Sequence, residues 1–340
     1  MDVVLPPKIK ERNDVARVFK HLAELLRTPP PAGTDPIGFM RKNVERYEDL
    51  EPVAGIDGVD IQPASVGGVP VEWVLPIEWR SGPSARLVYL HGGGWAAGSL
   101  DSHRPFVASL AKRLGYPVLQ VGYSLAPEHP FPTALQDCAK VLAWARKFGP
   151  DGEGETHCLE LAGDSAGGNI AAATVVKAIH ERGERPDRLL LLSASLDLSP
   201  QPGRADIVDP MVDLSLQEPA FNGILALYVQ GKTAATDPLV SPLCASDETL
   251  AQFPPTLLQV SSNEFLLWDA QQFAGRLVAN GVRVNLSVWP GMPHVWQLFQ
   301  FLPESVEALA EAAAFLSSGV RSQSRARPST RWRLWHRRSE

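Results

Sequence analysis

From about residue 70 the chain alternates short apolar, β-rich runs with longer helical patterns, and this alternation constrains its fold more than any other feature. A strand that gives way to a helix before the next strand pairs by crossover, which predicts a mostly parallel sheet with helices on both faces. The strand runs are Val71–Leu75, Leu87–Leu90, Val118–Val121, Leu159–Ala162, Leu189–Ser193, Thr256–Val260 and Val284–Val288. Helical patterns lie between them near His103–Leu114, Thr133–Lys147, Ala166–Arg182 and Asp269–Asn280, and Ser305–Leu316 follows the last run. The expectation is an α/β fold with a central sheet of about eight strands. At 340 residues and 44% hydrophobic, the chain suits one large domain with a small accessory region, or two modest domains.

Two stretches break the alternation. Residues 1–50 read as amphipathic helices interrupted by Pro29-Pro30-Pro31, and residues 200–235 insert a Pro- and Asp-rich loop and a helix near Pro219–Val229. Together they are expected to form a small helical cap over the carboxyl edge of the sheet, with ordinary surface helices as the alternative. The plan is then a cap segment 1–50, a catalytic body made of 51–199 and 236–320, a cap insertion 200–235, and a tail 321–340.

Formal charge is unevenly spread. The net value is -6, yet the last twenty residues hold seven arginines against one glutamate, which leaves a balance of -12 for the rest and argues against nucleic acid as a partner of the main body. The tail reads as disordered and solvated; the sharper alternative is peripheral contact with an anionic membrane surface through its arginines, Trp332 and Trp335. Cys138, Cys158 and Cys244 are an odd, widely spaced set that suggests neither a disulfide framework nor a zinc site. Lys8, Lys10, Glu11, Arg12 and Asp14 leave no apolar core for a signal peptide, and the most apolar run, Leu189–Leu196, is far short of a membrane span. A soluble cytoplasmic protein is expected.

Two glycine-framed motifs carry the chemistry. In Gly163-Asp164-Ser165-Ala166-Gly167-Gly168 the glycines two before and two after the serine allow a sharp turn from strand into helix, from which Ser165 projects. In His91-Gly92-Gly93-Gly94-Trp95 consecutive glycines let backbone N–H groups approach a substrate oxygen unobstructed. Both follow a strand's carboxyl end, where ligand sites occur in such sheets. A nucleophile beside oxyanion donors points to acyl transfer.

A serine hydroxyl needs a base, and in this layout the order along the chain is Ser, acid, His. Only His180, His294 and His336 follow Ser165. His180 lies inside the helix after the nucleophile and His336 in the tail, so His294, in a loop after the final strand, is the candidate base. The acid belongs just past Thr256–Val260, within Ser261–Asp269. Glu264 is favoured; Asp269 is the alternative, although it could equally serve as a helix cap or first-turn acid.

With these residues in place the sequence resembles the hormone-sensitive-lipase-like branch of the α/β-hydrolases. The resemblance spans about residues 60–318 and rests on His91–Trp95, on Tyr123-Ser124-Leu125-Ala126-Pro127-Glu128-His129-Pro130-Phe131-Pro132, and on Gly163–Gly168. It implies an α/β-hydrolase fold, oxyanion donors at the N–H groups of Gly93, Gly94 and Ala166, a supporting role for His91, and a bracing role for Tyr123–Pro132. One departure is visible: relatives commonly carry Asp-Pro-Leu-x-Asp at the acid, where this chain has Glu264-Phe265-Leu266-Leu267-Trp268-Asp269. Aligning Leu266 with the family leucine puts Glu264 in the acid's place.

The expected activity is a serine carboxylesterase acting through an acyl-enzyme. Trp95, Phe221, Phe265, Trp296 and Tyr228 could line an apolar pocket for small to medium uncharged esters, or could be core. The resemblance suggests short-chain acyl esters, aryl esters or lactones. No metal or organic cofactor is expected. An amide or N-acetyl hydrolase is the alternative within the same chemistry, and a non-catalytic ligand-binding receptor on the same fold is the alternative outside it. The oligomeric state is left open.

Overall fold

A computed structural model describes residues 12–47, 49–50, 56–81, 85–200, 218–321 and 333–334. Its centre is a nine-stranded sheet: β1 (Val59–Val66), β2 (Val69–Pro76), β3 (Arg86–Leu90), β4 (Val118–Val121), β5 (Leu159–Asp164), β6 (Arg188–Leu192), β7 (Thr256–Ser261), β8 (Val284–Trp289) and β9 (Arg333–Leu334). The spatial order is β1-β2-β4-β3-β5-β6-β7-β8-β9. Only β2 runs against its neighbours β1 and β4; every other pair is parallel. Beyond the expected runs, β1 pairs with β2 in register from Val59–Pro76 to Val66–Val69. Its polar residues and Pro63 are tolerated because it is an edge strand.

Alternation along each strand divides the core into two layers. Val88, Leu90, Leu161, Leu191, Leu258 and Val260 point to one face, where they meet α4 (Thr133–Lys147), α5 (Ser165–Glu181) and α7 (Leu267–Ala279). Leu87, Tyr89, Ala162, Leu190 and Leu257 point to the other, under α3 (Leu100–Leu114) and α8 (Pro303–Arg321). Residues i and i+2 of a strand share a face, so an apolar run with no polar alternation is what a sheet covered on both sides requires.

The N-terminal helices α1 (Asn13–Arg27) and α2 (Pro36–Val44) flank the body, and α6 (Glu218–Val229) lies in the second stretch that breaks the alternation. Val15, Val18, Phe19 and Leu22 of α1 are buried against Trp289, Met292, Trp296 and Phe299, in and after β8. Each such side chain contributes about 1.5–3 kcal/mol on burial, enough to hold a single helix against this loop. α2 starts where its sequence dictates: the Asp35 carboxylate accepts from the Ile37 and Gly38 amides at 3.0 and 2.9 Å, and Pro36 occupies the first turn.

Two residues of the tail are among those described. Arg333 and Leu334 pair in parallel with Ser287 and Val288. The outer edge of β8 offers unpaired backbone groups, and any extended segment that reaches it can complete the ladder. The other tail residues beyond Arg321, including Trp332, Trp335 and His336, lie outside the described residues.

Candidate active site

Ser165 stands at the junction of β5 and α5 with φ +50. A Cβ at Gly167 would collide with the Leu90 and His91 carbonyl groups, so the first turn of α5 can lie against the end of β3 only without a side chain there. Gly93, at φ +119, is equally constrained, since a Cβ would run into Ala97 O. Four non-glycine residues around the site also hold positive φ: Trp95, Ser165, Ser193 and Val295. Such positions cost about 1–3 kcal/mol each, and their grouping here shows where the fold places its backbone strain.

Ser165 Oγ lies 3.0 Å from His294 Nε2, and His294 Nδ1 lies 2.9 Å from Glu264 Oε2. The other Glu264 oxygen accepts from Ser193 Oγ at 2.7 Å and from the Ser261 amide at 2.9 Å. With both carboxyl oxygens engaged, Glu264 is fixed, and an oxygen acceptor at Nδ1 selects the tautomer with a free lone pair on Nε2. That lone pair can take the Ser165 proton as the oxygen attacks.

Asp269 is placed differently. It lies in the first turn of α7, and its Oδ2 accepts from the Leu196 and Asp197 amides at 2.8 and 3.0 Å. It therefore ties down the loop after β6, and it is Glu264 that meets His294 Nδ1. His180 is in α5, 3.2 Å from Thr249 Oγ1.

Gly93, Gly94 and Ala166 border the same pocket as Ser165 and His294. The loop that carries the two glycines is held by a residue to which sequence reasoning gave no role. Asp164 Oδ1 accepts from the Gly92 amide at 2.9 Å and from Tyr89 OH at 2.6 Å, and Oδ2 is 3.5 Å from His103 Nε2. Burial opposes ionisation of Asp164, but the charge of His103 and the hydrogen bonds from His103 and Tyr89 outweigh it, and the carboxyl lies below its ordinary range. The only signal in the sequence was its place beside the serine.

His91 is fully buried, and desolvation, with a contribution from His103, lowers its pKa to about 4. Neutral at pH 7, its Nδ1 lies 2.8 Å from Gly92 O while its ring stacks on Tyr123 at 4.3 Å. Tyr123 OH donates to His91 O at 2.6 Å, and the Ala126 amide donates to Trp95 O at 2.9 Å, so the Tyr123–Pro132 segment lies directly behind the glycine loop.

The pocket's apolar wall differs from the aromatic set expected. Trp296 is wholly buried 5.8 Å from Trp289, in the core under α1, and Phe265 is buried in the core beside α7. Neither borders the pocket: an aromatic ring at the body's core face is covered by the helix packed on it. Trp95 does border it, but its indole donates to Asn169 Oδ1 at 3.2 Å and stacks on Tyr228 at 4.9 Å, which makes it chiefly a support for the loop. The Phe221 side chain lies outside the described residues. The wall is supplied instead by Leu26, Met40 and Val44 of the N-terminal helices, Ile224 of α6, and Val295 and Leu298. Among the described residues no group of His, Cys, Asp and Glu is arranged to hold a metal ion.

Comparison with known proteins gives a consistent picture. The family described as alpha/beta hydrolase fold matches residues 87–298. Esterase LipU of Mycobacterium tuberculosis is 33% identical over 264 residues, covering 76% of this chain and 85% of the relative. An acetyl-hydrolase of Streptomyces hygroscopicus is 33% identical over 259 residues, covering 75% and 82%. A solved esterase from the bacterial hormone-sensitive lipase family superposes with a TM-score of 0.78 at 32% identity, covering 90% of this chain and 98% of the other.

Proposed function

The chain belongs to the α/β-hydrolase fold family, in its hormone-sensitive-lipase-like branch, and from that membership we propose that it is a serine carboxylesterase with Ser165 as nucleophile, His294 as base and Glu264 as acid. The hydrogen-bonded run from Glu264 through His294 to Ser165 carries this reading. His294 removes the Ser165 proton as Oγ attacks the ester carbonyl, and Glu264 stabilises the imidazolium that forms. The N–H groups of Gly93, Gly94 and Ala166, beside the positive end of α5, stabilise the oxyanion. His294 then protonates the leaving alcohol, and water activated by the same imidazole releases the acid. No step needs a metal or an organic cofactor.

The substrates in this reading are small to medium uncharged esters. The apolar wall formed by Leu26, Met40, Val44 and Ile224 supports it, because a charged group set against those four side chains would lose hydration that they do not replace. The same residues support a cap role for the two segments outside the alternating body. A second reading, hydrolysis of an amide or N-acetyl group, has in its favour the similarity to an acetyl-hydrolase.

Turnover of p-nitrophenyl esters from acetate to hexanoate, with p-nitroacetanilide alongside, separates the two. The esterase reading expects ester turnover that Ser165→Ala reduces on the order of 10⁴-fold or more. A parent no faster than Ser165→Ala on every ester, yet active on the anilide, would transfer the site to amides.

No helix among the described residues is long and apolar enough to cross a membrane. The three free cysteines support a reducing, cytoplasmic location. The arginine-rich tail supports peripheral contact with anionic lipid, which vesicle binding with and without residues 321–340 tests.

A further inference from the structure

Helix α2 presents two kinds of residue side by side. Met40 and Val44, four apart and so on one face, border the pocket together with Gly93 and Gly94. Arg41, between them in sequence, reaches into the body. Its Nε donates to Ala96 O at 2.8 Å and its Nη2 to Ala126 O at 3.0 Å, while Nη1 and Nη2 pair with Glu128 Oε1 and Oε2 at 2.9 and 2.6 Å. The two carbonyls come from segments that also grip each other, through the Ala126 amide on Trp95 O at 2.9 Å. Ala96 and Ala97 in turn fold back on Gly93, their amides donating to its carbonyl at 3.3 and 2.9 Å.

We propose that Arg41 is a positioning residue for the oxyanion loop: its guanidinium locks residues 93–97 to residues 126–128 and to the cap helix, so the helix that meets the substrate also fixes the N–H groups of Gly93 and Gly94. The proposal rests on the serine esterase reading. Ion pairing by itself is a weak reason for the arrangement, since the Glu128 side chain is 53% exposed and such pairs contribute little. The carbonyl contacts are the stronger reason, because Ala96 and Ala126 are buried and only a flat fork of donors can serve two carbonyls and a carboxylate at once. A lysine keeps the charge and can follow Glu128, but it cannot reproduce that fork.

The test compares the parent, Arg41→Lys and Arg41→Met on p-nitrophenyl acetate and hexanoate, and measures inhibition by trifluoroacetone, whose adduct with a serine carries an oxyanion. The two esters share a leaving group and differ only in acyl length, so a loss common to both reports on the loop and a loss confined to hexanoate reports on the wall. Displacing a reacting group by about 1 Å can cost 10²-fold; both variants are accordingly expected to lose about tenfold or more in kcat on acetate, with KM little changed and trifluoroacetone weakened in parallel. If Arg41 merely anchors the cap, kcat on acetate stays within about twofold of the parent and the loss falls on KM for hexanoate, which overturns the proposal. Should Arg41→Met fail to fold, Arg41→Lys decides alone, and full acetate turnover by it is likewise fatal. Failure of the esterase reading shows separately, as a parent no faster than Ser165→Ala.

Discussion

Glu264 and Asp269 are five residues apart and both buried, at 1% and 0% exposure, so neither burial nor residue type separates their roles. Direction does. Glu264 precedes α7 and its Oε2 reaches His294, whereas Asp269, in the first turn, sends Oδ2 to the amides of Leu196 and Asp197. Glu264→Gln is therefore expected to cost on the order of 10³–10⁴-fold in kcat/KM, the penalty of an imidazole held in the wrong tautomer. Asp269→Asn keeps an acceptor for the two amides and should act mainly on stability, by about 1–3 kcal/mol. Steady-state kinetics on one short ester, with urea unfolding of both variants, checks this; a crippled Asp269→Asn beside an active Glu264→Gln would reverse the assignment. At this scale the meeting of Ser165 with His294 was legible, one residue singled out by its glycine frame and the other by elimination. Asp164 was not, because its contact with the Gly92 amide closes a separation of 72 residues that no local pattern records.

Among the elements, strands covered on both faces were read nearly to their ends, while β1 was missed: Asp60, Gln62 and Pro63 interrupt its apolar pattern, and its place at the sheet edge is what permits them. β5 shows the opposite difficulty. Leu159-Glu160-Leu161 looks like a strand with one solvated face, yet Glu160 is wholly buried, accepting from Tyr116 OH at 2.5 Å with Cys158 Sγ at 3.8 Å and Arg188 and Asp187 nearby. Desolvation, only partly offset by Tyr116 and Arg188, raises its pKa from 4.5 to about 7. Below pH 4.5 both the folded and unfolded chains hold this proton and the group costs nothing; above pH 7 the fold carries a buried carboxylate and the cost is complete. Its contribution to stability thus falls as pH rises from about 4.5 to 7, by up to about 3 kcal/mol. Glu160→Gln should gain about 1–3 kcal/mol on the parent between pH 4.5 and pH 8. His91, with its lowered pKa, acts in the opposite sense over part of this range, so the difference between variant and parent is the quantity to read from urea unfolding at several pH values. Parallel stability curves would mean that the Glu160 carboxyl has the same pKa in the folded and unfolded chains.

Across the whole molecule, charge and pocket are both properties of segments far apart in sequence. The body at -12 and the tail at +6 bias the chain toward approaching an anionic surface tail first. The 340-residue chain is expected to pellet with phosphatidylserine vesicles at low salt and to be released as salt rises, and a chain ending at residue 320 to stay in solution; equal pelleting of the two forms would end the idea. The pocket is assembled from α1, α2, α6 and the loop after β8 over the ends of β3 and β5. Periodicity, glycine spacing and chain order are local or ordinal properties, and the layered α/β architecture, the glycine-framed turn at Ser165 and the choice of His294 as candidate base followed from them alone. Which carboxylate meets His294, which side chains form the wall and what holds the Gly92–Gly94 loop are visible only in three dimensions. Each of those is a direction in space, set by how α1, α2 and α7 pack on the body, and two residues with the same burial and the same chemistry can point opposite ways.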